Sequence, residues 1–174
     1  CTIEEAEDYM KNVPEKLDFM ATSCCPSWSV MAKKLFPEFA DNISMAMTPM
    51  VFTARFIKQR YKDSKVVFIG PCVSKKLEAT RKTVKSHVDY VLTFEEVMGM
   101  FEAKNIVLEE MEPADNMSFG TGAGRGFAVS GGVANAVVDV VKKIDPNREI
   151  PIDQADGLKE CRNMLMLAKA GKRN

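Results

Sequence analysis

An α/β fold, a parallel sheet with flanking helices, is predicted by three observations. Short apolar runs at residues 17–22, 65–70 and 88–92 alternate with stretches of helical spacing. Two of those runs end in proline-bearing cysteine turns, Thr22-Ser23-Cys24-Cys25-Pro26-Ser27-Trp28 and Gly70-Pro71-Cys72-Val73-Ser74-Lys75-Lys76-Leu77-Glu78. The intervening stretches open on residues that favour helix entry, such as Thr48-Pro49 and Thr93-Phe94-Glu95-Glu96. A strand that stops at such a turn places a thiol at the carboxyl edge of a sheet, where open α/β folds bind ligands.

Taken in order, residues 2–12 read as a helix with acid in its first turn, which suits the positive end of the helix dipole, and Pro14 ends it. Residues 17–22 are expected to be the first strand. A helix follows Pro26, with Trp28, Met31 and Leu35 on one face, and runs until Pro37. Thr48-Pro49 starts the next, with Met50, Ala54, Ile57 and Tyr61 on its apolar face. Residues 65–70 form a continuous apolar run of the kind buried on both faces of a sheet. The third strand is expected at 88–92, and the Thr93…Glu96 capping box opens a helix to about Ala103. Residues 17–103 thus predict a three-layer lobe with parallel pairing.

Beyond Pro113 the chain passes into Gly120-Thr121-Gly122-Ala123-Gly124-Arg125-Gly126, then Phe127 to Gly132. These glycines fall two apart rather than in the Gly-x-Gly-x-x-Gly spacing of a phosphate loop. No regular element is expected there, and the glycines are read as sites of close backbone approach. Helices are expected at about 133–144 and 156–170, the second with Leu158, Cys161, Leu165 and Ala168 on one stripe. The twelve methionines are read as mostly packing on helix faces.

Composition excludes several classes. With 24 acidic and 24 basic residues the chain has no electrostatic footprint for nucleic acid or an anionic membrane. No apolar run reaches the roughly 20 residues of a membrane span. Five cysteines, an odd number with two adjacent, do not suit a disulfide framework, and a cytoplasmic setting is expected. His87, the only histidine, has no cysteine or histidine at metal-binding spacing, so no zinc site is expected. The chain opens on Cys1-Thr2-Ile3 and closes on Gly171-Lys172-Arg173-Asn174, and it is expected to be a fragment.

Each candidate residue has an ordinary alternative. A lone cysteine is more often a small buried hydrophobe than a ligand. Cys24 and Cys25 differ because they are adjacent and precede a helix, whose amides favour thiolate and whose divergent side chains permit two roles. Cys72 precedes Lys75 and Lys76, a positive field, although two lysines alone are more often a solvated helix start. Cys161 sits on an apolar stripe and is read as core.

The two cysteine elements resemble the first and second signatures of the catalytic domain of iron-only (di-iron) hydrogenases. Ser118-Phe119-Gly120-Thr121-Gly122-Ala123-Gly124, with Phe127 and Ser130-Gly131-Gly132-Val133, is similar to that family's glycine-rich segment. The resemblance implies a first α/β lobe over about 1–110 and the beginning of a second over about 118–174. It further implies a site for the H-cluster, a 4Fe-4S cubane bridged through sulfur to a di-iron unit with cyanide, carbon monoxide and a dithiolate. Protons and dihydrogen would be the substrates, and ferredoxin or linked iron-sulfur domains the electron partner.

Carried over by position, Cys25 and Cys72 would ligate the cubane and Cys24 would pass protons to the dithiolate. Lys75 would donate to a cyanide, with Pro49 and Phe127 shaping the surroundings. A proton path would run from Cys24 past Glu5, Ser44 and Asp8, while Glu78 matches a carboxylate of open role. The family's third signature, with the other two cubane cysteines, is missing, since no cysteine follows Cys161. Gly70 and Ser27 stand where standard members have Met and Gly, which points to a divergent subgroup. With two thiolates of four, the chain is expected to be cluster-free and inactive by itself. Three other readings are a hydrogenase-like iron-sulfur assembly protein without the di-iron unit, a hydrogen-sensing hydrogenase, and a nucleotide-binding α/β module.

Overall fold

The computed structural model describes residues 1–113 and 121–172. Ser118, Phe119 and Gly120 of the glycine-rich segment lie outside the described residues. The chain divides into two compact units, Cys1–Met47 with Gly120–Asn174, and Thr48–Phe119.

The first unit is helical. Helix α1 (Thr2–Asn12) carries Glu4 and Glu5 in its first turn. Helix α2 (Pro26–Leu35) starts with Cys25 as its N-cap and Pro26 at the first helical position. A four-residue helix α6 (Gly122–Arg125), a 3-10 turn (Gly126–Ala128), α7 (Gly132–Ile144) and α8 (Gly157–Lys169) complete it. Ala6 of α1 meets Val137 and Val141 of α7 in one core, with Tyr9 and Met10 at its margin. Ala32, Phe36, Ile43 and Leu165 form another, flanked by Phe19, Ala21, Trp28 and Phe39. These long-range contacts group the first 47 residues with the C-terminal ones rather than with residues 48–103.

Residues 17–22 are not a strand. They run extended and make a single bridge, Ala21 to Ile43, closed by Ala21 N–H to Asn42 O (2.8 Å) and Ser44 N–H to Ala21 O (2.9 Å). The Asn42 side-chain amide occupies the Phe19 carbonyl at 2.8 Å, taking an acceptor a ladder would need. The apolar character of the run goes into packing, where Phe19 meets Phe39 edge-on with ring centroids 5.3 Å apart.

In the second unit, helix α3 (Pro49–Arg60) is capped by Thr48, whose Oγ1 accepts from Val51 N–H. Strand β1 (Val67–Gly70), helix α4 (Ser74–Thr80) and strand β2 (Tyr90–Thr93) form a βαβ crossover, and helix α5 (Phe94–Ala103) follows directly. The strands pair in parallel, from Val67 with Tyr90 to Gly70 with Thr93. The α/β class is therefore as expected, with a sheet of two strands rather than three among the described residues. Asp89 ties the strand ends together: its carboxylate accepts from Val66 N–H and pairs with Lys58 at 2.7 Å and Lys65 at 3.3 Å. The capping box of α5 is present in full, with Glu96 Oε2 on Thr93 N–H and Thr93 Oγ1 on Glu96 N–H.

Several apolar faces differ in detail from their spacing. Ala32 is buried in α2 whereas Leu35 is exposed, and Tyr61 and Leu158 are exposed at the ends of their stripes. Met50 is buried, but Met45, Met98, Met100, Met111 and Met166 are exposed, so the methionines are not uniformly packing. The glycine-rich stretch is more regular than expected. Thr121 Oγ1 accepts from Gly124 N–H (3.0 Å) and caps α6, which glycine alone would not hold. Gly131 takes a left-handed φ of 71°, and a Cβ on Gly132 would come 1.9 Å from the Gly126 carbonyl oxygen. The close approach read from the glycines is thus a backbone crossing at the entry to α7.

Candidate metal and proton-transfer site

In the first unit, the turn at Cys24 and Cys25 is held from both sides. Trp28 Nε1–H donates to Thr22 O (3.1 Å), Trp28 N–H donates to Cys25 Sγ (3.4 Å), and Ser23 Oγ–H donates to Ala46 O (3.1 Å). Cys24 and Cys25 are both part-exposed, and neither is in a disulfide.

Directly beside this turn lies a buried carboxyl. Glu5, on the inner face of α1, is 5% exposed, and Ser23 N–H donates to its Oε1 at 3.4 Å. The buried Ser44 hydroxyl hydrogen-bonds the same carboxyl, while Ser44 Oγ accepts from Ala46 N–H at 3.1 Å. Burial pushes the Glu5 carboxyl above the usual range, against the Ser23 and Ser44 hydrogen bonds and the N-terminal charge; nearby Asp8 adds to the rise. Asp8, one turn further along α1, is half-buried and accepts from Asn12 Nδ2–H at 2.7 Å. The fold therefore brings Glu5, Ser44 and Asp8 together next to Ser23, the neighbour of Cys24.

In the second unit, Cys72 follows β1 and precedes α4. Its sulfur lies 2.9 Å from Ser74 Oγ. Burial opposes ionisation of this thiol, but the Ser74 hydroxyl, the Ser74 and Lys75 amides and the Lys75 charge outweigh it and hold the pKa below the ordinary thiol value. Lys75 is not a solvated helix start: its Nζ pairs with Glu78 Oε2 at 2.8 Å, and both side chains are largely buried. Lys76 behaves as the ordinary reading has it, pairing at the surface with Glu96.

Pro49 occupies the first position of α3. Phe127 sits half-buried in the 3-10 turn after α6. Cys161 is half-buried rather than core, with burial first and the charge of Cys25 second pushing its thiol pKa up.

Ser74 and Glu78 have local signals: a hydroxyl two residues after Cys72 where a helix begins, and an i,i+3 lysine–glutamate pair on that helix. Ser23 has none, because its partner is 18 residues away.

A profile of the family described as "Iron only hydrogenase large subunit, C-terminal domain" matches residues 1–174. The chain belongs to the iron-only hydrogenase family. It is 32% identical over 164 residues to Iron hydrogenase 1 of Clostridium pasteurianum, covering 85% of this chain and 29% of that protein. The Periplasmic [Fe] hydrogenase large subunit of Nitratidesulfovibrio vulgaris is 28% identical over 182 residues, covering 91% and 43%. Cytosolic Fe-S cluster assembly factor NAR1 of Kluyveromyces lactis is 33% identical over 88 residues, covering 51% of this chain and 19% of that protein.

Among solved structures, a variant of apo [FeFe]-hydrogenase HydA1 from Chlamydomonas reinhardtii superposes with a TM-score of 0.65 at 28% identity, covering 90% of this chain and 45% of that one. The chain thus spans less than half the length of the relatives it matches. No helix among the described residues is long and apolar enough to cross a membrane.

The donor chemistry of an iron-only hydrogenase site can be tested against these residues. Iron-sulfur clusters take thiolates, and Cys25 and Cys72 fit that role by residue type, Cys72 also by its stabilised thiolate. They fit as two ligands and not as a cage: among the described residues no three Cys, His, Asp or Glu side chains are grouped to hold a metal ion.

Proposed function

We propose that this chain is part of the catalytic domain of an iron-only hydrogenase that interconverts protons and dihydrogen, with electrons from a ferredoxin-type relay. The observation that carries this reading is the buried Glu5 carboxyl, hydrogen-bonded to Ser44 and to the amide of Ser23 beside Cys24. A carboxyl biased toward its neutral form, touching a hydroxyl and held by the amide next in sequence to a thiol-bearing residue, is an arrangement suited to moving protons.

In this reading Cys25 and Cys72 would hold the cubane, and the H-cluster, when bound, would supply the redox chemistry that interconverts protons and dihydrogen. Cys24 holds the proton at its Sγ. Glu5 and Ser44 resupply it from Asp8, whose half-buried position gives the path its outer end. Lys75, paired with Glu78, would offer an ammonium to an anionic cyanide, and Pro49 and Phe127 are proposed among the residues that would shape the group's surroundings. The protein's share is ligation, electrostatics and a proton route.

Relatives named as iron-sulfur assembly factors supply a second reading. Cys24 and Lys75 favour the first, because a proton-handling thiol and a cyanide-facing lysine have work only beside a di-iron unit. A hydrogen-evolution assay on the matured full-length protein tests both. Cys24→Ser is expected to lower activity about a hundredfold or more while leaving cubane content unchanged. Activity that survives the substitution would remove Cys24 as proton donor, and a matured parent without activity would favour the assembly or sensing reading.

A further inference from the structure

The second unit carries a cluster of positive charge that the proposed hydrogenase site does not use. Segments 55–65 and 81–89 hold eight of the chain's 24 lysines and arginines but only two of its 24 acids, Asp63 and Asp89. In a chain of zero net charge this is a strong local excess. The fold bends part of it into a concave surface. Arg55, Lys58 and Gln59 stand at i, i+3 and i+4 on α3, so they share one face. Lys85 and His87 come from the loop between α4 and β2. These five residues line an open hollow of about 450 Å³, within the range of small-molecule sites.

The loop is pinned in this shape. Lys85 and His87 both take left-handed φ values, 47° and 61°. Residues other than glycine rarely adopt that conformation, and it persists only where the surroundings impose it. Between the two, Ser86 is buried, and its hydroxyl donates to Ala79 O at 2.9 Å and accepts from Val88 N–H at 3.3 Å. From the helix side, Arg55 Nε–H donates to Lys85 O at 3.2 Å, and its Nη2–H donates to Val84 O. Arg55 thus occupies the loop's carbonyls, and the rest of the lining consists mainly of donors: the Lys85 and Lys58 ammonium groups, the His87 ring and the Gln59 amide. Lys58 pairs with Asp89 at 2.7 Å, but that carboxylate also takes Lys65 at 3.3 Å, so one acid is shared between two cations.

We propose that this hollow binds a diphosphate group, whether free or as part of a nucleotide. Phosphate oxygens are acceptors, and lysine N–H groups meet them with charge-assisted hydrogen bonds. A neutral or apolar ligand would desolvate the ammonium groups without compensation. Cations drawn from two elements, α3 and the loop, favour an anion that carries charge at both ends, hence a diphosphate over a single phosphate. Arg55 serves as the clamp that fixes the loop. None of these residues belongs to the proposed metal and proton-transfer site, so this proposal and the hydrogenase reading stand or fall separately.

The test is isothermal titration calorimetry of the full-length protein at low ionic strength, with inorganic phosphate, pyrophosphate and ADP as probes. Pyrophosphate is expected to bind saturably, more tightly than phosphate, and to weaken as salt is added. ADP binding equal to that of pyrophosphate identifies the diphosphate alone as the recognised group, and tighter ADP binding identifies a nucleotide as its source. Lys85→Gln and His87→Gln, both at exposed positions, are each expected to weaken pyrophosphate about fivefold or more. Lys62→Gln and Lys82→Gln remove exposed cations of the same two segments that do not line the hollow, and are expected to leave binding within about twofold. Circular dichroism reports that each variant is folded. Absence of saturable pyrophosphate binding overturns the proposal. So does equal weakening by all four substitutions, or binding of heparin without binding of pyrophosphate, since either result describes a diffuse basic surface rather than a site.

Discussion

Glu5 is a carboxyl kept from water, and that fixes how its charge couples to folding. Its ordinary value is 4.5 and burial raises it. The folded chain therefore keeps a proton that the unfolded chain has released, and in that window stability falls as pH rises. The contribution is complete below 4.5 and declines as pH climbs through the folded value. Glu5→Gln accepts the Ser23 hydrogen bond without a charge to desolvate. In denaturant titrations from about pH 4 to 8, the variant is expected to gain on the parent as pH increases. A difference between the two that stays constant over that range would mean Glu5 is not held neutral. None of this geometry is legible in spacing, because Glu5, Ser23 and Ser44 come from three separate segments. Only the family resemblance put Glu5, Ser44 and Asp8 in one list. Lys75 and Glu78, by contrast, stand three apart on one helix, a local pair that the sequence displays openly.

Elements follow the same division between local and long-range causes. Thr48-Pro49 and the Thr93…Glu96 box were readable because a cap is a contact between residues three apart, and both helices begin where those caps put them. Residues 17–22 were not, since a strand exists only through a partner, and the partner here is a single residue, Ile43. The short helix at Gly122–Arg125 escaped because glycine content outweighs one threonine cap in any count of propensities. For α8 the stripe was legible but not which residue anchors it. Leu165 is 0% exposed against α2, while its near neighbour Leu167 is 51% exposed. Leu165→Ala is expected to destabilise the first unit by about 3 kcal/mol, and Leu167→Ala by under about 0.5 kcal/mol. Guanidinium unfolding followed by Trp28 fluorescence reports on this unit; equal costs for the two substitutions would show that α8 is not seated through Leu165.

At the scale of the whole molecule, family and α/β class were legible because two dense cysteine motifs and several local helix signals point the same way. The grouping of residues 1–47 with the C-terminal helices was not, since it depends on Ala6 meeting Val137 and Val141 some 130 positions on. For metal binding the number of ligands decides, and Cys25 and Cys72 are the two thiolates proposed for the cluster. A cubane draws its stability from a full set of thiolates, and metal binding free energy is spent in part on organising ligands. Two thiolates where a cubane takes four leave most of that organisation to be done by the iron itself. The 174-residue chain, reconstituted anaerobically with iron and sulfide, is therefore expected to retain far less than one cluster per molecule after desalting. Iron and acid-labile sulfide analysis, with the cubane's electron paramagnetic resonance signal, measures this. Four irons and four sulfides per chain, lost in both Cys25→Ala and Cys72→Ala, would show instead that this chain supplies enough ligands by itself.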